Sequence, residues 1–388
     1  MNVTEPTHAG VDAGRLHRVI DAIRQDIDNG VHDGAQLAIG RGGALVLNET
    51  IGYADRAAGR MLQPDDILIP FSISKQLVVA VVLSYVERGL LSLMLPVAEV
   101  LPEFGVRGKQ SVTLFHLLTH TGGVMADVPM LPAEVLTSLA RFTAYVSASA
   151  PEAPAGQRVI YSKLAAHAVM ASMIAAVDPQ QRPFDIIIKE ELLDPLGMDS
   201  TNLGPPPVGR YVAPVVARYR RPAGMFTPEL IELSAQLFLT PGSQMPGGGY
   251  TTTASDYYKF ADMLRGGGAR GDFRLLSPAM IELASRNYTG ELPNSLMDYS
   301  LGMRHWLPWP AYLGLGFFVR GDALTPGPLP NLASRQTFGG LGSGTSIFWV
   351  DPVRDMCLVL ITVGTVEDTD HLPRTQRLSD MALASIVE

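Results

Sequence analysis

The 388-residue sequence predicts an α+β fold in which the two ends of the chain share one sheet and a mostly helical segment lies between them. Three observations predict it. An amphipathic helix leads into a hairpin near the N-terminus, helical periodicity dominates from Lys75 to about Asp199, and apolar strand-like runs fill the final third.

Taken in order, Leu16, Ile20, Ile23 and Ile27 recur at helical spacing, and Gly30 supplies a stop. Gln36 to Ile39 and Ala44 to Leu47 then flank Arg41-Gly42-Gly43 as a hairpin. Helices are predicted over Leu77 to Arg88, for a short turn after Thr113 as N-cap, over Leu164 to Val177 and over Phe184 to Leu193. Gly204 to Pro207 and Arg220 to Pro222 read as turn and loop, where the chain is expected to return to the sheet. Thr253 and Asp256 form a capping-box pattern opening a helix through Leu264, with Gly266-Gly267-Gly268 after it. Leu315 to Val319, Ser346 to Val350 and Met356 to Thr362 read as strands, the last two joined by a turn over Asp351 to Asp355.

Composition narrows the possible functions. With 47% hydrophobic and 18% charged residues the chain has ample material for a large core. A net charge of -8, a pI near 5.5 and the absence of a basic run argue against nucleic acid or an anionic membrane as partner, leaving a small neutral molecule. The single cysteine, Cys357, excludes an internal disulfide and reads as a buried strand thiol. Met1 to Gly10 is polar with no secretory pattern, and the longest apolar run, Leu77 to Leu83, is too short for a bilayer, so a soluble cytoplasmic protein is expected.

The chemistry concentrates at Ser72-Ile73-Ser74-Lys75. On a helix, Ser72 and Lys75 lie one turn apart on the same face, where an amine can take the hydroxyl proton. That role needs a neutral amine, which burial beside Phe71, Leu77 and Val78 or a neighbouring positive charge would supply. Tyr161, in Ile160-Tyr161-Ser162-Lys163, is the candidate for returning the proton to a leaving group, as a phenol whose ionised form nearby ammonium groups favour. Phe338-Gly339-Gly340-Leu341-Gly342 is glycine-rich enough for backbone to approach a ligand and donate N–H groups to an oxyanion. Neither a Gly-x-Ser-x-Gly elbow nor a His-Glu-x-x-His motif occurs, and no metal or cofactor is implied.

This order of pieces, together with Leu117-Leu-Thr-His-Thr-Gly-Gly123, Pro195-Leu-Gly-Met198 and the stretch from Gly247 to Asp256, resembles the family VIII carboxylesterases. These belong to the serine β-lactamase-like superfamily, with class C β-lactamases and penicillin-binding proteins. The resemblance implies a β-lactamase-like fold over residues 11–388, its antiparallel sheet flanked by N- and C-terminal helices. Its sheet subdomain would comprise 11–70 and 215–388 and its mostly helical subdomain 71–214. It implies Ser72 as acylated nucleophile, Lys75 as proton partner, Tyr161 as acid/base, and the N–H groups of Ser72 and Leu341 as oxyanion donors. It also implies an ester substrate, with an acyltransferase, a β-lactamase, a D-amino-acid amidase or peptidase, and a non-catalytic relative as alternatives. Two departures weigh against a β-lactamase: Lys163 stands where class C enzymes have Asn, and Phe338 replaces the Lys of Lys-Thr-Gly. Two readings of Lys163 stand, an ammonium acting on Lys75 and Tyr161 or a solvated helix residue. His120 belongs to a structural segment of the family. Trp306, Trp309 and Tyr312 are candidates for a pocket wall, with core packing as the alternative.

Overall fold

The computed structural model describes residues 2–221, 226–296, 298 and 304–387. Pro222, the end of one expected loop, lies outside the described residues. Strands β1 (Gly34–Arg41), β2 (Ala44–Asp55), β3 (Arg60–Met61), β4 (Phe318–Val319), β5 (Phe338–Gly342), β6 (Ser346–Asp351) and β7 (Met356–Val363) form one antiparallel sheet in the order β3-β2-β1-β7-β6-β5-β4. The closure of N- and C-terminal segments is the β1–β7 pair, running from Gly34 opposite Val363 to Arg41 opposite Met356. Gly42 and Gly43, both at positive φ (60° and 78°), make the β1–β2 turn that the hairpin reading requires. Every residue of β7 is buried, including the free thiol of Cys357, which burial pushes well above its ordinary pKa.

The helices that frame the site are α1 (Ala13–Asp28), α2 (Lys75–Glu87), α3 (Leu114–Leu118), α4 (Leu139–Ala148), α5 (Ala165–Val177), α6 (Pro228–Phe238), α7 (Ala254–Arg265) and α8 (Asp368–Leu383). Helices α1 and α8 pack together, and their apolar faces join the core that contains Leu37, Ile39, Trp349 and Leu358. Helix α7 packs on β1, β6 and β7 within the larger cluster that also contains α2. The residues of α2 from Lys75 to Tyr85 are all buried. Five valines give this helix poor intrinsic propensity, so burial holds it, at about 1.5–3 kcal/mol per large aliphatic side chain. Among the described residues no helix is long and apolar enough to cross a membrane.

The structure departs from expectation at four places. Of Leu315 to Val319 only Phe318–Val319 joins the sheet, because Gly316 (φ 79°) and the Gly314 N–H to Phe317 O bond turn the chain back before it. Thr253 caps α7 at Asp256 N (3.1 Å), but the Asp256 carboxylate turns away from the cap to Ser200 N (2.6 Å) and Lys259 (2.7 Å). The box closes in full at α3 instead, where Thr113 and His116 exchange side-chain and backbone bonds. No helix is predicted over α4 or over α6.

Candidate active site

The 3₁₀ turn Phe71–Ser74 delivers Ser72 to the start of α2. Phe71 sits at φ 51°, a costly conformation for a bulky residue, which the surroundings hold in place. Its ring packs edge-on against Phe238 at 5.9 Å, Tyr257 Oη donates to Ile73 O (2.5 Å), and Ser346 Oγ donates to Pro70 O (2.5 Å). Lys75, 1% exposed, places Nζ 2.9 Å from Ser72 Oγ and 2.5 Å from Gly247 O. Burial, reinforced by the positive charge of Lys163, pulls the Lys75 pKa down to about 7. With one N–H committed to Gly247 O, the neutral amine keeps a lone pair for the Ser72 proton.

Tyr161 has its ring centroid 5.3 Å from Lys75 Nζ and the Ser72 side chain near its hydroxyl. Burial pushes its pKa up to about 12, against the lowering effect of the Ser72 side chain. The expectation of a readily ionised phenol is therefore corrected: Tyr161 rests protonated, poised as an acid, because desolvation and the negative charge of Asp368 both oppose a phenolate. Its backbone is clamped from three sides. Tyr161 N donates to Ser295 Oγ (3.2 Å), Ile160 N to His120 O (2.8 Å) and Ser162 N to His120 Nδ1 (3.1 Å). The His120 ring lies 4.6 Å from the Tyr161 ring. Burial, with the charge of Lys75, pulls the His120 pKa down to about 3, so this imidazole is neutral and accepts through Nδ1. It positions the tyrosine segment from beneath.

Strand β5 lies against the Ser72 turn. A Cβ on Gly340 would stand 2.4 Å from Gln76 Oε1, and one on Gly342 would stand 2.2 Å from Pro70 O. Strand alternation sends Leu341 to the other side, against Trp309 and Leu372, while its backbone stays beside the Ser72 turn. The two amides implied as oxyanion donors, Ser72 and Leu341, are thus brought into neighbouring segments. Of the expected binding set, Lys163 lines the cavity at Ser72, whereas Phe338, Gly339, Trp306 and Trp309 do not. Phe338 is 1% exposed and packs edge-on against Phe317 at 5.2 Å. Gly339 abuts Phe348 O, where a Cβ would stand at 2.1 Å, so it serves strand pairing. Trp309 is buried beside Leu372 with Trp306 packed on the same small cluster, and neither lines the cavity at Ser72. The aromatic pocket wall expected there is corrected to core packing.

That cavity, about 90 Å³, is walled by Phe71, Leu164, Phe226, Ile231 and Phe238, with Ser72, Asp127, Lys163, Ser234 and Ser343 as polar lining. Helix α6, which is not among the predicted elements, supplies Ile231 and Phe238. Its signal was present: Thr227 followed by Pro228 and Glu229 is an N-cap, a first-turn proline and a first-turn acid, and Thr227 Oγ1 accepts from Leu230 N at 3.3 Å. Gly247, the acceptor for Lys75, was also unassigned. A Cβ there would stand 2.9 Å from Leu164 Cα, which explains glycine at this close approach.

Lys163 faces the cavity, ion-paired with Asp127 and 4.5 Å from the Phe226 ring centroid. Of the two readings, its positive charge reaches Lys75 and helps lower that amine's pKa. Removing it makes Lys75 easier to protonate. Lys163→Met is expected to move the acidic limb of the kcat/KM–pH profile upward by several tenths of a pH unit, lowering the rate at neutral pH. An unmoved limb in titrations of both enzymes would rule this coupling out.

The chain was compared with known proteins on this basis. A family model described as Beta-lactamase matches residues 19–381. The esterase/beta-lactamase LipL of Mycobacterium tuberculosis is 25% identical over 94% of this chain and 88% of its own length. A family VIII carboxylesterase crystal structure superposes with TM-score 0.79 at 20% identity, covering 97% of this chain and 99% of the other. EstCE1, a hydrolase with promiscuous acyltransferase activity, gives TM-score 0.76 at 20% identity over 95% and 99%. These two superpositions bear on the fold, which is β-lactamase-like. With the family match running unbroken from the first helix through the Ser72 turn and the glycine-rich strand to the last helix, the chain belongs to the beta-lactamase family of serine hydrolases.

Proposed function

We propose that the protein is a carboxylesterase of the family VIII kind, cleaving short-chain or aryl esters of small molecules through an acyl-Ser72 intermediate. One observation carries this reading: a buried lysine with a pKa near 7 shares a hydrogen bond with a serine at the mouth of an apolar cavity. The neutral Lys75 amine takes the Ser72 proton as Oγ bonds to the ester carbonyl carbon. The carbonyl π pair moves to oxygen, facing the N–H groups of Ser72 and Leu341. As the C–O bond to the alcohol breaks, Tyr161 protonates the leaving oxygen and recovers a proton from the Lys75 ammonium. Water then attacks the acyl carbon, giving its proton through Tyr161 to Lys75, which returns it to Ser72 Oγ.

The wall chemistry supports an ester over a β-lactam. Phe338, standing where β-lactamases carry a lysine for the substrate carboxylate, is turned into the core and offers no cation. Esterase EstB of Burkholderia gladioli, 36% identical over 31% of this chain, is described as an esterase and supports the same reading. The test is mass spectrometry and steady-state turnover with p-nitrophenyl butyrate and a chromogenic cephalosporin. A butyryl adduct on Ser72 with ester turnover, both lost in Ser72→Ala, is expected. Cephalosporin turnover alone would replace the reading with β-lactamase, and neither adduct nor turnover would sink it. In the same assay Phe238→Ala, which removes a ring from the wall, is expected to shift preference about tenfold from butyrate toward octanoate esters. An unchanged ratio of kcat/KM would take Phe238 out of acyl recognition.

A further inference from the structure

A second cavity, about 540 Å³, opens between α1, α8 and the segment Arg218 to Arg221, and it shares no lining residue with the cavity at Ser72. Five arginines line it, Arg218, Arg220, Arg221, Arg374 and Arg377, against two carboxylates, Asp26 and Asp370. On a chain of net charge -8 this is a local reversal of sign. The available carboxylates are already engaged. Asp26 pairs with Arg377 (2.5 Å), Asp370 with both Arg221 (3.2 Å) and Arg304, and Asp33 with both Arg218 (2.7 Å) and Arg56 (2.8 Å).

Arg374 is left at the floor with no carboxylate within ion-pair distance among the described residues. It is 6% exposed, and its guanidinium meets only His32 Nδ1 (3.1 Å), His371 Nδ1 (2.8 Å) and Gly344 O (3.3 Å). Burial and the charge of Arg377 pull its pKa down to about 10, against the pull of Asp26, so it remains a cation with neutral partners. The same burial keeps His32 and His371 neutral. A buried cation without a counter-charge costs several kcal/mol, which a bound anion would offset. Arg220 adds a second guanidinium at the rim, bonded to Asn29 O rather than to an acid. Guanidinium forks match phosphate oxygens in pairs, and the volume falls in the range of small-molecule sites, well beyond a single inorganic ion.

We propose that this cavity binds a small molecule carrying a diphosphate group, with Arg374 at its base and Arg220 and Arg377 closing on it from the rim. The experiment is calorimetric titration of the full chain with pyrophosphate and with ADP at constant ionic strength, comparing wild type, Ser72→Ala, Arg374→Lys and the exposed pair Arg220→Gln with Arg377→Gln. Saturable binding is expected in wild type and Ser72→Ala, weakened at least about tenfold in the rim pair and in Arg374→Lys. Tighter binding of ADP than of pyrophosphate assigns the rest of the cavity to an organic moiety, and the reverse assigns it to a compact diphosphate. The proposal is overturned by no saturable heat with either probe, by binding unchanged in the rim pair, or by binding lost in Ser72→Ala. Because the readout is binding heat, the result is independent of ester turnover.

Discussion

Lys75→Met is expected to lower kcat/KM for p-nitrophenyl butyrate on the order of 10³-fold while making the protein more stable at pH 7. The loss follows from removing the amine 2.9 Å from Ser72 Oγ. The gain follows from linkage. Lys75 has a folded pKa of about 7, whereas an unfolded lysine titrates at about 10.4. Below about pH 7 the native state must hold the buried ammonium, and the full penalty is present. Between about pH 7 and 10 the unfolded chain binds a proton that the native one does not, so wild-type stability rises by about 1.4 kcal/mol per pH unit. Above that window the penalty is gone. Methionine has no such slope, but it leaves Gly247 O without its donor, a cost of about 1–3 kcal/mol. The net expectation is a Tm a few degrees higher at pH 7, with the gap to wild type closing as pH rises toward 10. Thermal melts of both proteins from pH 6 to 10 check this, and parallel curves would show that Lys75 is not a buried titrating group.

Gly342→Ala is expected to reduce kcat on the order of 10²-fold, with a stability loss of about 1–3 kcal/mol. Gly342 does not have a positive φ, so alanine is acceptable to the backbone, and the obstacle is space alone. The new methyl would stand 2.2 Å from both Pro70 O and Ser346 Oγ. Pro70 O is main chain at the head of the nucleophile turn and already accepts from Ser346 Oγ, so relief comes by β5 moving away from Ser72. That displacement carries Leu341 N–H with it. The diagnostic is a folded protein, by circular dichroism and a cooperative melt, whose kcat falls far more than its KM rises. Wild-type kcat in a folded Gly342→Ala would mean that strand and turn are not coupled as described.

Local chemistry made part of this site legible before any fold was known. The Ser72–Lys75 pair is readable because both residues sit within one helical turn, and turn geometry alone brings them together. The β1–β2 hairpin is readable for the same reason, since Gly42 and Gly43 carry their own φ requirement. Phe338 misled, and Trp306 and Trp309 stayed open between wall and core, because an aromatic side chain is equally at home in either and only the facing element decides. For Phe338 that element is Phe317, and for Trp309 it is Leu372. Helix α6 was hidden by its flanking loops although Thr227-Pro228 announced it.

The sequence by itself determined the α+β class and the one-turn spacing of Ser72 and Lys75, because helical geometry is local, while the β-lactamase-like topology and the candidate role of Tyr161 came from its resemblance to a known family. Only the tertiary structure decided their electrostatic state. Lys75 falls to about 7 because α2 is buried on every side and Lys163 lies near, and Tyr161 rises to about 12 because the same burial opposes a phenolate. The arginines around Arg374 likewise meet only when α1, α8 and the chain near Arg218 fold together. Desolvation and charge depend on atoms brought from distant parts of the chain, and no local pattern records them.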